Sequence, residues 1–197
     1  MSLPPSRTPS EQSGTIPTFN ALASGLVGLD MDEEEAALLF GLGLLVRNAS
    51  AVEYTLHTIL VHLKGSPRAY AYKSAEPGTW YIKESVKRLD AMADGAGLTA
   101  ESRSSAKALL SRCTALFEER HRYIHGTWAY DDERQTWLTV RGRRTANWPE
   151  IMTASAEQIW ELAAKFDRAQ QELILWDSTH FGDGPDESGW YASTKRV

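Results

Sequence analysis

Arg120, His121 and His125 lie close together in the run Glu118-Glu119-Arg120-His121-Arg122-Tyr123-Ile124-His125-Gly126-Thr127-Trp128. A guanidinium is planar and permanently charged, and its fork of N–H donors matches the oxygens of a phosphate. An imidazole takes up or releases a proton near neutral pH. An Arg and a His separated by four residues therefore supply the least equipment with which RNA can be cleaved without a metal.

The elements around this run must present it. At about 100° per residue, Ala106, Leu109, Leu110, Cys113, Leu116, Phe117 and Ile124 fall on one apolar stripe of a helix. Arg120 falls inside that stripe, where another Leu is expected. His125 lies off its centre in the last turn, where Gly126 can end the helix. A charge on a core-facing stripe is costly unless it is paired, or unless the stripe meets a polar groove or a partner subunit.

The motif resembles that of the HEPN superfamily (higher eukaryotes and prokaryotes nucleotide-binding domain): an Arg, a polar residue, a few variable residues and a His. His121 occupies the polar slot, and Gly126 and Trp128 also look like many bacterial members. The motif covers about a dozen residues, and the helical pattern extends the resemblance loosely over residues 32 to 178. It implies a metal-independent endoribonuclease, possible in toxin or phage-defence systems, needing no cofactor. Arg120 and His125 would be catalytic at a composite site in a homodimer, with His121 orienting them or touching RNA. RNA and a cognate regulator protein are the implied partners. One departure is Thr127, which stands where a toxin subgroup has a tyrosine, so a nucleotidyl-modified tyrosine is not expected there.

Read in order, the chain predicts a mainly α protein: a four-to-five-helix bundle with a small antiparallel β-meander before the last long helix. Residues 1–20 are rich in Pro, Ser and Thr and read as a flexible tail. The bundle domain spans 21–178. Its first helix, about 32–64, opens on acids and carries a heptad seam of Leu38, Leu42, Leu45, Ala49, Val52, Leu56, Ile59 and Leu63. A second helix runs from about Thr79 to Asp94. Thr99 caps the third. From about 127 to 153 the period changes to that of strands, with a hairpin turn at Asp131-Asp132-Glu133. Ser155-Ala156-Glu157-Gln158 is a capping box opening a helix to about Trp176. Residues 179–197 read as a loose tail.

The meander is basic. Arg120, Arg122, Arg134, Arg141, Arg143 and Arg144 face three acids over this stretch. Interleaved with Trp128, Trp137 and Trp148, the last five of these arginines are candidate RNA-binding residues; alternatively, the sheet is amphipathic and its aromatics cover the bundle. The net charge of −5 argues against general coating of nucleic acid but not against a local basic site. The single cysteine, Cys113, permits no internal disulfide and suits a small core position. With no secretory signal pattern, and with Arg47, Glu53, His57 and His62 following the most apolar run, a cytoplasmic protein that spans no membrane is expected.

Two other readings compete. Arg120 could pair with an acid of the first helix and His125 could cap the third, giving a non-catalytic HEPN-like module that binds nucleotide, RNA or a protein partner. Glu118 and His121 have the Glu-x-x-His spacing of di-iron bundles, and Glu53 and His57 share a helix face, but a second matching motif is missing, so no metal site is expected.

Overall fold

The computed structural model describes residues 32–65, 76–93, 97–142 and 149–182. Within these residues the chain is mainly helical, with a small antiparallel sheet. Four helices are described: α1 (Glu33–Lys64), α2 (Gly78–Ala91), α3 (Ala100–Ile124) and α4 (Ala156–Phe181). Three strands, β1 (Thr127–Asp131), β2 (Thr136–Arg141) and β3 (Glu150–Ala154), come between α3 and α4.

Residues 32–37 form the start of α1, where the Asp32 carboxylate accepts a hydrogen bond from the Glu35 amide at 2.7 Å. Three glutamates follow in its first turn and oppose the helix dipole. From Leu38 onward α1 is the central helix of the bundle. Leu45, Ala49, Val52, Leu56 and Leu60 are fully buried, and Leu38, Ile59 and Leu63 nearly so. The seam read from the sequence is thus a core face, with Leu42 packed partly buried against it. By length and composition α1 could also cross a bilayer, with a mean hydropathy of 1.4 over its most apolar window.

Pairs of contacts fix the helix directions. Glu53 meets Gly78 and Leu63 meets Arg88, so α1 and α2 run parallel. Asp90 pairs with Lys107, while Phe117 lies against Gly78, so α3 runs antiparallel to α2. Ser102 bonds Trp176 and the Phe117 ring packs on Phe166 with centroids 5.3 Å apart, so α4 runs antiparallel to α3. Asn48 donates to the Ala163 carbonyl and His62 bonds Asp177, so α4 is parallel to α1.

Local chemistry sets the helix ends. Thr99 accepts from the Ser102 amide, and Ser155 and Gln158 form the complete capping box. Helix α2 ends at Ala91, earlier than the sequence pattern suggested, with Met92 extended. Helix α4 continues to Phe181, beyond the Trp176 end expected and into the stretch read as tail. The Ser178 and Thr179 hydroxyls donate back to the Leu175 carbonyl, and Phe181 packs on His62 and Trp176. Polar residues that look loose in sequence are thereby held in a helix.

The sheet has the order β1-β2-β3, both pairs antiparallel. Asp131 ends β1 and accepts from the amides of Glu133 and Arg134. The turn extends past the expected Asp131-Asp132-Glu133 through Gln135, which takes φ 49°. In β2, Val140 faces Thr127 and Arg141 faces Glu150. Trp128 and Trp137 are partly buried against the core, and the Trp128 indole donates to the Tyr123 carbonyl at 3.0 Å. These two rings cover the bundle rather than stand open for bases. Trp148 lies outside the described residues.

Candidate functional site

Helix α3 delivers its last turns to the end of the bundle where α2 begins. Ala106, Leu110, Cys113 and Phe117 are buried along its inner face. One turn on, Arg120 is only 21% exposed, as its place on the stripe requires. At the end of the stripe Tyr123 is buried and Ile124 only partly so, a small rotation from the periodic pattern.

The helix does not stop by a left-handed glycine. His125 is the C-cap residue (φ −111°, ψ 7°), and its backbone N–H donates to the His121 carbonyl at 3.3 Å. Gly126 serves a different need. A Cβ there would sit 2.9 Å from the Arg122 carbonyl oxygen and 3.1 Å from Thr139 Cβ. The missing side chain lets the chain pass closely against β2, and so places Arg141 at the end of α3.

A cavity of about 510 Å³ opens at this junction. It is lined by Arg120, His121, Arg122 and His125 from α3, Arg141 from β2, Glu53 from α1 and the Pro77–Thr79 start of α2, among others. The His121 and His125 rings lie 4.3 Å apart between centroids. Five of the residues singled out in the sequence are therefore brought together. Arg134 is not among them: it is exposed in the hairpin, 3.6 Å from Asp131, because the turn points it away from the α3 end. Arg143 and Arg144 lie outside the described residues.

Arg120 is held loosely. Its Nη1 is 4.0 Å from Glu53 Oε1, at the limit of an ion pair. The same Glu53 oxygen accepts from the Gly78 amide at 3.4 Å. Arg120 Nε is buried and has no hydrogen-bond partner among the described residues. A buried donor of a charged group left without an acceptor is unfavourable by about 1–3 kcal/mol, so this edge of the guanidinium favours an incoming oxygen. Arg122 is also loosely paired, 4.0 Å from Glu150.

Glu53 was legible in the sequence only as a neighbour of His57. Its contact with Arg120 is made across two helices, and no local pattern marks it. Gly78 is the first residue of α2. A Cβ on it would fall 2.6 Å from Phe117 Cζ and 2.9 Å from Glu53 Cγ, so only glycine lets α2 start against α1 and α3 here.

The cavity favours anions. Three arginines line it against the carboxylates of Glu53 and Glu118. Partial burial holds the His121 imidazole below its ordinary pKa, and the neighbouring Arg141, His125 and Arg120 add to the effect. His121 is therefore a neutral imidazole at pH 7, able to accept a hydrogen bond or a proton. Among the described residues no group of three or more His, Cys, Asp or Glu side chains could hold a metal ion. Burial raises the Cys113 thiol to about 11, which makes it inert as a nucleophile. Comparison of the chain with protein-family models, with curated proteins and with solved structures finds no match.

Proposed function

We propose that this chain is a HEPN-like, metal-independent endoribonuclease acting through Arg120, His125 and His121. The observation that carries the reading is Arg120: a partly buried guanidinium with an unmet Nε–H, set in one cavity with two imidazoles whose centroids lie 4.3 Å apart. Arginine fixes a phosphate bidentately, and imidazole moves protons at working pH.

In the reaction, a ribose 2′-oxygen attacks the adjacent phosphorus as its proton passes to an imidazole. The bond from phosphorus to the 5′-oxygen breaks, and that oxygen takes up a proton. The products are a 2′,3′-cyclic phosphate and a 5′-hydroxyl, and no water is consumed. His125 handles the proton. Arg120 stabilises charge growing on the phosphoryl oxygens, where a preorganised cation counts most. Neutral His121 orients His125 and the phosphate. A homodimer, with the motifs of two subunits facing one cleft, completes the reading, and a cognate regulator protein fits toxin or phage-defence roles.

A second reading has its own observation. Glu53 stands beside Arg120 and offsets part of its charge, which suits a non-catalytic module that binds nucleotide, RNA or a protein partner.

Purified protein incubated with RNA in EDTA separates the two, alongside the Arg120→Ala and His125→Ala variants. Wild type should leave cyclic-phosphate ends, and each variant should lose activity by about 10²-fold or more, with its oligomeric state unchanged by sedimentation. Cleavage retained in both variants, or absent from wild type on structured and unstructured RNAs alike, overturns the nuclease reading.

A further inference from the structure

Arg120 and Arg122 each have a carboxylate within 4.0 Å, Glu53 and Glu150 respectively. Arg141 lines the same cavity and has no ion-pair partner among the described residues. It belongs to a different element. Arg120, His121 and His125 come from the last turns of α3, whereas Arg141 is the final residue of β2, set there by the close passage at Gly126.

Size matters as well. A volume of about 510 Å³ lies in the range that holds a whole small ligand. A single phosphate group, with five heavy atoms, fills only a small part of it. Pro77, at the start of α2, and Phe117 add apolar surface to the wall. The room and the second cation both go beyond what one phosphodiester requires.

Resting on the nuclease reading for the identity of the ligand, we infer that Arg141 forms a second phosphate subsite. The site then selects oligonucleotides that carry at least two consecutive phosphodiesters over dinucleotides. The phosphate at Arg120 and the histidines is the one that reacts, and its neighbour along the strand is held by the Arg141 fork. The inserted sheet thereby sets the shortest good substrate.

The test uses the full chain and 2′-deoxy oligonucleotides, which lack the attacking hydroxyl and so report binding apart from cleavage. Affinities are measured in EDTA for a deoxydinucleoside monophosphate and a deoxytrinucleoside diphosphate, and the ribo forms are assayed for cleavage in parallel. Wild type should favour the trinucleotide by about tenfold, the scale of one charge-assisted hydrogen-bonded contact. In Arg141→Gln the ratio should fall close to one, and Arg141→Lys should keep part of it, since the charge remains and the fork is lost. Thermal unfolding of both variants checks that the fold persists. A wild type without preference, or a preference that survives in Arg141→Gln, overturns the second subsite. A preference that depends on Arg141 while no ribo-oligonucleotide is cut leaves the subsite standing and removes the nuclease reading.

Discussion

At the scale of single residues, the site joins one loosely held guanidinium to one imidazole kept neutral by its surroundings. His121 sits near Arg141, His125 and Arg120, and each positive neighbour disfavours a further positive charge. Its titration by NMR should fall below the free-imidazole value of about 6.5. Removing a cation relieves the protonated form, so Arg141→Gln or Arg120→Gln should move that midpoint upward. Inorganic phosphate has the opposite charge and should also raise it. By linkage, phosphate then binds more tightly as pH falls through the His121 midpoint. A midpoint unmoved by either substitution would mean that these charges do not reach the ring. Much of the site at this scale was legible: Arg120 was conspicuous because a charge occupied a Leu position in a regular stripe, and its closeness in sequence to His121 and His125 foreshadowed their shared cavity. Glu53 was not, because what gives it meaning is a contact across helices.

At the scale of elements, the meeting of α1, α2 and α3 depends on the missing side chain at Gly78. Substituting Ala would drive a Cβ to 2.6 Å from the Phe117 ring. Since Phe117 is buried against Phe166, the ring has little room to give. We expect Gly78→Ala to cost about 1–3 kcal/mol, read from the thermal or denaturant midpoint, and to weaken phosphate binding by shifting the start of α2. An unchanged midpoint would show that α2 can move aside freely. The helices were legible because burial follows a period: the α1 seam, the Thr99 cap and the Ser155 box lie where their residue types put them. The misplacements share a cause. Gly126 looked like a stop signal but is needed for close passage to β2. Ser178 and Thr179 looked like tail but bond back into α4. Both depend on neighbours that composition does not reveal.

At the scale of the molecule, the acidic chain keeps a locally positive cavity at one end of the bundle, where α3 finishes and α2 starts. The helix directions follow from the connections. Helices α2 and α3, and α3 and α4, are antiparallel neighbours in sequence and space. Helices α1 and α4 are parallel and meet only after the rest of the bundle intervenes. That arrangement was not legible, because periodicity reports which face of a helix is buried and not which partner covers it.

The tie between α1 and α4 bears on the order in which the bundle forms. The Asn48–Ala163 and His62–Asp177 hydrogen bonds each span 115 residues. Closing a chain over that span costs about 2 kcal/mol more than closing ten residues. The α1–α2 contacts span only 25 residues, so these two helices have a head start, and the tie of α1 to α4 closes late. We expect the His62–Asp177 bond, 2.8 Å long between side chains only 13% and 12% exposed, to form after the rate-limiting step. His62→Ala should destabilise the protein by about 2 kcal/mol, almost all of it as faster unfolding with the refolding rate kept. Stopped-flow refolding and unfolding in urea read the two arms separately; a slowed refolding arm would place the α1–α4 contact early instead. A bond formed this late governs how slowly α1 and α4 part and leaves the speed at which they meet unchanged.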